Sequence, residues 1–277
     1  MKAAHPDALP IMGGTDVMVE INLDHNRPAA IIDLTRVPEL KDWGTDGGSL
    51  LIGAGVTYTR LIDELGDRLP GLAMASRTVG SPQIRNRGTV GGNLGTASPA
   101  GDAHPPLLAS GAWVELASTS GTRRWPIDTF FIGPKKNAMR TDELIRGFVV
   151  PVAKGGQQFC KVGTRNAMVI AVCSFAVDLD PVKRRIGTGI GSAGPTPLKA
   201  AESERFIEGV FDEEKLWESR TDIGESAVEH FGGLVAQAAR PIDDIRGTAG
   251  YRRHALAVLA RRALIWAWND TRTGKIA

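Results

Sequence analysis

The stretch Gly80-Ser-Pro-Gln-Ile-Arg-Asn-Arg-Gly-Thr-Val-Gly-Gly-Asn-Leu-Gly-Thr-Ala-Ser-Pro-Ala-Gly-Asp102 decides how this chain is read. It is dense in glycine and small hydroxylated side chains, and after Val90 it holds almost no large apolar residue. Such a run has too little to bury for an ordinary core strand. It either faces a ligand or forms an exposed loop, and loops this long are uncommon without a function. Successive backbone N–H groups make a good cradle for a pyrophosphate, and glycine lets that backbone come close without a Cβ in the way. Gly91 and Gly92 fit this need. Thr89, Asn93, Thr96 and Ser98 would add neutral donors for phosphate and ribose, and Asp102 could accept from ribose hydroxyls.

Outward from this segment, Ile11-Met12-Gly13-Gly14-Thr15-Asp16-Val17-Met18 is a shorter candidate of the same kind, with an apolar approach, two glycines and a hydroxyl. Taken alone, a double glycine between apolar runs reads as a tight turn. Gly189-Ile-Gly-Ser-Ala-Gly194 matches the GxGxxG pattern of nicotinamide-binding folds, but Pro195 and Pro197 follow at once. Proline has no N–H to offer a phosphate, so the segment is expected to be a turn leading into a helix near Leu198. The 33 glycines cluster in these places and in residues 44–55.

Other chemistry finds little support. The five histidines have no HxxxH or HxH spacing, so no metal site is expected. No GxSxG elbow occurs, and paired carboxylates such as Asp243-Asp244 sit in polar stretches that read as solvated. Two cysteines, Cys160 and Cys173, are too few for a cluster and read as buried thiols. A net charge of +2, with 42% hydrophobic and 23% charged residues, describes an ordinary folded protein and no nucleic-acid surface. No run is long and apolar enough to span a bilayer, and residues 1–10 carry no signal-peptide core, so a cytoplasmic location is expected. Any chemistry would come from a cofactor.

The 277 residues suffice for two ordinary domains. In the first half, strand-like runs at 30–34, 49–56 and 113–117 alternate with a helix at 58–65, and a strand is expected over 144–151. Lys154-Gly155-Gly156-Gln157 reads as a linker, which places the domain boundary at 155. Beyond it, β-rich runs at 167–178 and 185–191 flank an Asp180-Pro181 turn, and helices are expected over 198–208, 213–231 and 251–268.

With these residues in view, the chain resembles the FAD-binding medium subunit of the molybdenum hydroxylases, the family of xanthine dehydrogenase and carbon monoxide dehydrogenase. Thr89-Val-Gly-Gly-Asn-Leu-Gly-Thr-Ala-Ser-Pro-Ala-Gly-Asp102 is similar to the family's main flavin loop, and Gly13-Gly14-Thr15-Asp16, preceded by Met12, resembles its first loop. Phe159-Cys-Lys-Val-Gly-Thr-Arg165 resembles the segment that brings a lysine, here Lys161, near the flavin. Ile145 matches an apolar position beside the ring system, and residues 191–197 resemble the turn that opens the family's C-terminal domain.

The resemblance implies an α+β fold: a vanillyl-alcohol-oxidase-type FAD-binding domain of two α+β lobes over residues 1–155, then a small α+β C-terminal domain over 156–277. It also implies a large subunit carrying a molybdopterin cofactor and a small subunit carrying [2Fe-2S] clusters, assembled as a dimer of heterotrimers. Electrons would pass from the clusters through FAD to NAD or a quinone. Members usually begin with a further strand and helix before the first glycine run, where this chain has only residues 1–10, so a loosened first lobe is expected. Relatives with a [4Fe-4S] cluster, such as benzoyl-CoA-type reductases, need a cysteine-rich insertion that two cysteines exclude. Two alternatives are a self-sufficient flavin oxidoreductase of this fold, comparable to the enolpyruvyl-glucosamine reductases, and a flavin-free scaffold.

Overall fold

A computed structural model describes residues 1–275. The chain opens with β1 (Leu9–Ile11), α1 (Val17–Asn22) and β2 (Ile31–Asp33), a small unit in which β1 and β2 pair in parallel. A five-stranded antiparallel sheet follows, built from β3 (Trp43–Asp46), β4 (Ser49–Gly53), β5 (Trp113–Ser118), β6 (Gly121–Pro126) and β9 (Leu144–Pro151) in the order β3-β4-β9-β5-β6. β7 (Phe131–Gly133) and β8 (Lys136–Asn137) form a separate short hairpin. Between β4 and β5 lie α2 (Tyr58–Leu65), α3 (Pro70–Arg77), α4 (Pro82–Arg85), α5 (Val90–Thr96) and α6 (His104–Ser110). β9 was expected over the same residues. Though last in sequence among these strands, it is the central one, and its apolar Phe148-Val149-Val150 run suits a position with neighbours on both edges.

One core joins this sheet to its helices. Leu50 and Ile52 of β4, Val114 and Leu116 of β5 and Phe148 of β9 are buried against Leu61, Leu65, Leu72, Leu94 and Leu107 of the helices. Glycine-rich α5 is a helix only because the rest of the fold makes it one. Thr89 caps it, its side chain accepting from Gly92 N at 2.9 Å, and Val90 and Leu94 are completely buried. The loop expected at residues 91–93 is therefore a helix. Glycine lowers helix propensity by about 1 kcal/mol per residue, but a good cap and two buried anchors offset that locally.

The C-terminal part is an antiparallel sheet of β10 (Gln157–Val162), β11 (Cys173–Asp180) and β12 (Arg185–Gly191), with β11 in the middle. α7 (Ala201–Glu213), α8 (Leu216–Ser219), α9 (Glu225–Ala238) and α10 (Ala249–Thr273) complete it. Every residue of β11 is buried because the sheet is covered on both sides. Phe175, Val177 and Leu179 pack with Ile207, Phe231 and Leu264 of the helices, while Ala176 and Phe159 pack with Ala75 of α3 and Ala109 of α6.

Three sequence expectations change here. The helix expected over 213–231 is broken into α8 and α9 at Arg220, whose φ is +57°. Asp244 is tied to Arg246 and to the buried Arg252 and so is not simply solvated. The GxGxxG segment begins as strand, not turn: Gly189 and Gly191 belong to β12, and only the residues after them turn toward α7. A Cβ on Gly189 would overlap the carbonyl of Pro105 in α6, and one on Gly187 would overlap that of Ala109. These glycines let a strand lie directly on a helix, which explains the motif without any nucleotide.

Candidate functional site

A cleft of about 510 Å³ lies between the β1-α1-β2 unit and the five-stranded sheet with its helices. Its size suits a cofactor-sized ligand. Met12, Gly13, Gly14, Thr15 and Asp16 line one side, Thr89, Gly91, Gly92, Asn93 and Thr96 another, and Ile145 sits on β9. Two contacts cross between the sides: Thr96 Oγ1 donates to Asp16 Oδ2 at 2.9 Å, and Lys135 pairs with Glu20 at 2.7 Å. The turns before α1 and before α5 meet as well, since Gly13 packs so tightly on Arg87 and Gly88 that a Cβ there would overlap the Arg87 carbonyl.

The two glycine runs divide their work differently from the sequence expectation. Among the described residues, the amides of Gly13, Gly14, Thr15 and Asp16 have no acceptor in the protein, and Gly14 holds φ at +77°. Consecutive free amides around a left-handed residue form an anion-binding concavity. In the second run, Gly92 N is already occupied by Thr89 Oγ1, which itself is buried. Gly91 is glycine for packing, because a Cβ would sit 2.5 Å from the Ala54 carbonyl oxygen. Gly92 would meet only Thr89 Oγ1, at 3.2 Å, and leaves the cleft open. The run at 89–96 thus shapes the wall, while residues 13–16 supply most of the free donors.

Ser98, Asp102 and Lys161 do not line the cleft. Ser98 Oγ accepts from Ala100 N within its own turn. Lys161 Nζ donates to Asp102 Oδ2 at 2.5 Å and to Thr78 O at 3.3 Å, and both charged side chains are buried. Burial pushes the Asp102 carboxyl above the ordinary range, with Lys161 and Thr78 pulling the other way. Both side chains bond Thr78, the residue before Val79 of the cleft wall, and so tie the end of α3 to β10. His104, fully buried, bonds the Asn93 carbonyl through Nε2 at 3.2 Å, and burial holds its ring down to about 4, so it is neutral. Asn93 Oδ1 is buried without a partner.

Several lining residues escaped the sequence reading. Leu9, Pro10 and Leu34 from the first unit, with Val79, Ile84, Met139 and Leu144 from the rest, give the cleft apolar walls suited to flat rings. Tyr58 and Lys135 add polar tips. Apart from Ile84, which lies in the stretch 80–102, none belongs to a motif, and only the fold brings them together. Among the described residues no group of three or more His, Cys, Asp or Glu could hold a metal. Cys160 and Cys173 are unpaired, their thiols pushed up by burial to about 11 and about 12.

A cleft between two α+β lobes, with free amides at a glycine turn and apolar walls, defines a flavin-nucleotide-binding protein. Residues 1–153 match the family described as the FAD binding domain in molybdopterin dehydrogenase, and residues 158–267 match the CO dehydrogenase flavoprotein C-terminal domain. The chain belongs to this family of FAD-binding medium subunits of molybdenum hydroxylases. It is 28% identical over 271 residues to the xanthine dehydrogenase FAD-binding subunit of Escherichia coli O157:H7, covering 95% of this chain and 89% of that one. It is 33% identical over 210 residues to the nicotinate dehydrogenase FAD-subunit of Eubacterium barkeri, covering 72% and 71% of the two chains. Carbon monoxide dehydrogenase from Hydrogenophaga pseudoflava, in a form lacking the Mo-pyranopterin moiety, has a chain that superposes with a TM-score of 0.85 at 27% identity, covering 96% and 91%. Among the described residues no helix is long and apolar enough to cross a membrane.

Proposed function

We propose that this chain is the electron-transfer subunit of a molybdenum hydroxylase complex, holding FAD in the cleft between residues 13–16 and 89–96. The free amides of residues 13–16 carry this reading, because they offer a dianionic pyrophosphate hydrogen bonds that no protein group takes. Thr15, Asn93 and Thr96 would reach phosphate and ribose, Asp16 would accept from ribose hydroxyls, and Ile145 with Met12 would flank the rings. Asp102 and Lys161 would set charge behind the Val79 wall, and Ser98 would fix the turn that follows α5. Bound there, FAD would link one-electron donors to an external acceptor such as NAD or a quinone. The chain's own part is to position the cofactor, exclude water from it and tune its electrostatics.

The donors are [2Fe-2S] clusters on a small subunit, and substrate is oxidised at a molybdopterin cofactor on a large one, in a cytoplasmic dimer of heterotrimers. The FAD domain ends near residue 155. Affinity purification of the tagged chain from its source, with mass spectrometry of what comes along and analysis for flavin, iron and molybdenum, tests this. Two partner chains with all three cofactors are expected. Flavin without iron or molybdenum would favour a self-sufficient oxidoreductase and overturn the proposal.

A further inference from the structure

Tyr58 is the first residue of α2 and lines the cleft, yet its ring is buried, with only 3% of its surface exposed. Its amide donates to Gly88 O at 3.0 Å, and its ring edge lies against Gly88, where a Cβ would come within 3.2 Å of Cε2. Gly88 in turn touches Gly13. Tyr58 therefore sits at the junction where the two glycine runs meet. Among the described residues no protein group hydrogen-bonds its hydroxyl. Unlike Asn93 Oδ1, this hydroxyl is not an enclosed orphan: the ring is buried while its tip opens on the cleft, free to meet a ligand.

The charges around the cleft make such a donor useful. Lys135 is the one cation among the lining residues, and it is already paired with Glu20, while Asp16 adds a further carboxylate. An anionic ligand must be met largely by neutral donors. Burial and the fields of Asp102 and Asp16 push the phenol far above its ordinary range, so it keeps its proton at any physiological pH.

We propose that Tyr58 is a phosphate-binding residue whose phenol donates a hydrogen bond to the pyrophosphate of the bound dinucleotide, beside the free amides of residues 13–16. This rests on the cleft being the FAD site. It assigns to α2 a contact that neither glycine motif supplies.

The test is Tyr58→Phe in the full chain, with calorimetric titration of FAD, ADP and riboflavin into flavin-stripped protein and thermal unfolding of the stripped form. A hydrogen bond to a charged oxygen predicts FAD and ADP binding weaker by roughly 10- to 100-fold. Riboflavin, which lacks the phosphates, should bind as to the parent. The unfolding temperature of the stripped form should not change, because the hydroxyl has no protein partner to lose. Unchanged FAD affinity, or a loss equal for riboflavin and ADP, overturns the proposal while leaving the site itself standing. A parent chain that takes up no FAD overturns both.

Discussion

Alanine at Gly91 and alanine at its neighbour Gly92 are expected to fail for different reasons. A Cβ on Gly91 would stand 2.5 Å from the Ala54 carbonyl oxygen and 2.6 Å from its Cα. Both are backbone atoms of the segment that follows β4, so relief requires the helix to shift. Overpacking of this kind costs about 1–3 kcal/mol, or a fall of about 3–10 °C in unfolding temperature for a chain of this size. At Gly92 the only neighbour is Thr89 Oγ1 at 3.2 Å, and the residue is helical. Replacing a helical glycine by alanine returns about 0.5–1 kcal/mol of backbone entropy, so the flavin-free protein should be as stable as the parent or slightly more so. The new methyl instead occupies the cleft, and FAD binding should weaken at least about tenfold, equivalent to ~1.4 kcal/mol. Thermal unfolding of the stripped protein and fluorescence titration of FAD read the two effects separately. A Gly92→Ala variant that unfolds as early as Gly91→Ala, or that binds FAD like the parent, would refute this division of labour.

Further outcomes follow from the same structure. Gly189→Ala should destabilise the contact of β12 with α6 through the Pro105 carbonyl, measured by urea unfolding. His104 is held near about 4 against an ordinary 6.5, so the stability tied to its neutral form is fully present above pH 6.5 and is lost as pH falls toward 4. That gap is worth about 3 kcal/mol, and His104→Gln, which does not gain a charge, should close on the parent's stability as pH drops over this window. Lys161→Met strands Asp102 in the interior and should cost about 3–5 kcal/mol, while the double variant with Asp102→Asn should recover a good part of it. Losses in the double variant equal to the sum of the single ones would show that the two side chains do not act as a pair.

How far the sequence carries depends on what holds each residue in place. β9, α2 and β12 could be read because each has a periodic apolar pattern of its own. α5 could not, since three glycines in seven residues mask a helix whose stability comes from Thr89 and from burial of Val90 and Leu94. β1 is three residues long, too short for any periodic signal, and it exists through its parallel pairing with β2, which the apolar run at 30–34 did show. At the site, Gly13, Gly14 and Asn93 were legible as motif residues, and eleven of the fourteen candidates line the cleft. What sequence could not supply is direction. The Asp102–Lys161 pair spans 59 positions, and Tyr58 acquires its place only when α2 lies beneath Gly88. The GxGxxG segment shows the converse, because close packing and phosphate binding ask for the same residue.

The most direct measurement is the flavin content of the purified chain, released by gentle unfolding and compared between parent and Gly92→Val. One FAD per parent chain is expected, with none from a Gly92→Val protein whose circular dichroism is that of the parent. A parent without FAD, or a folded Gly92→Val variant that keeps its full complement, would contradict the site.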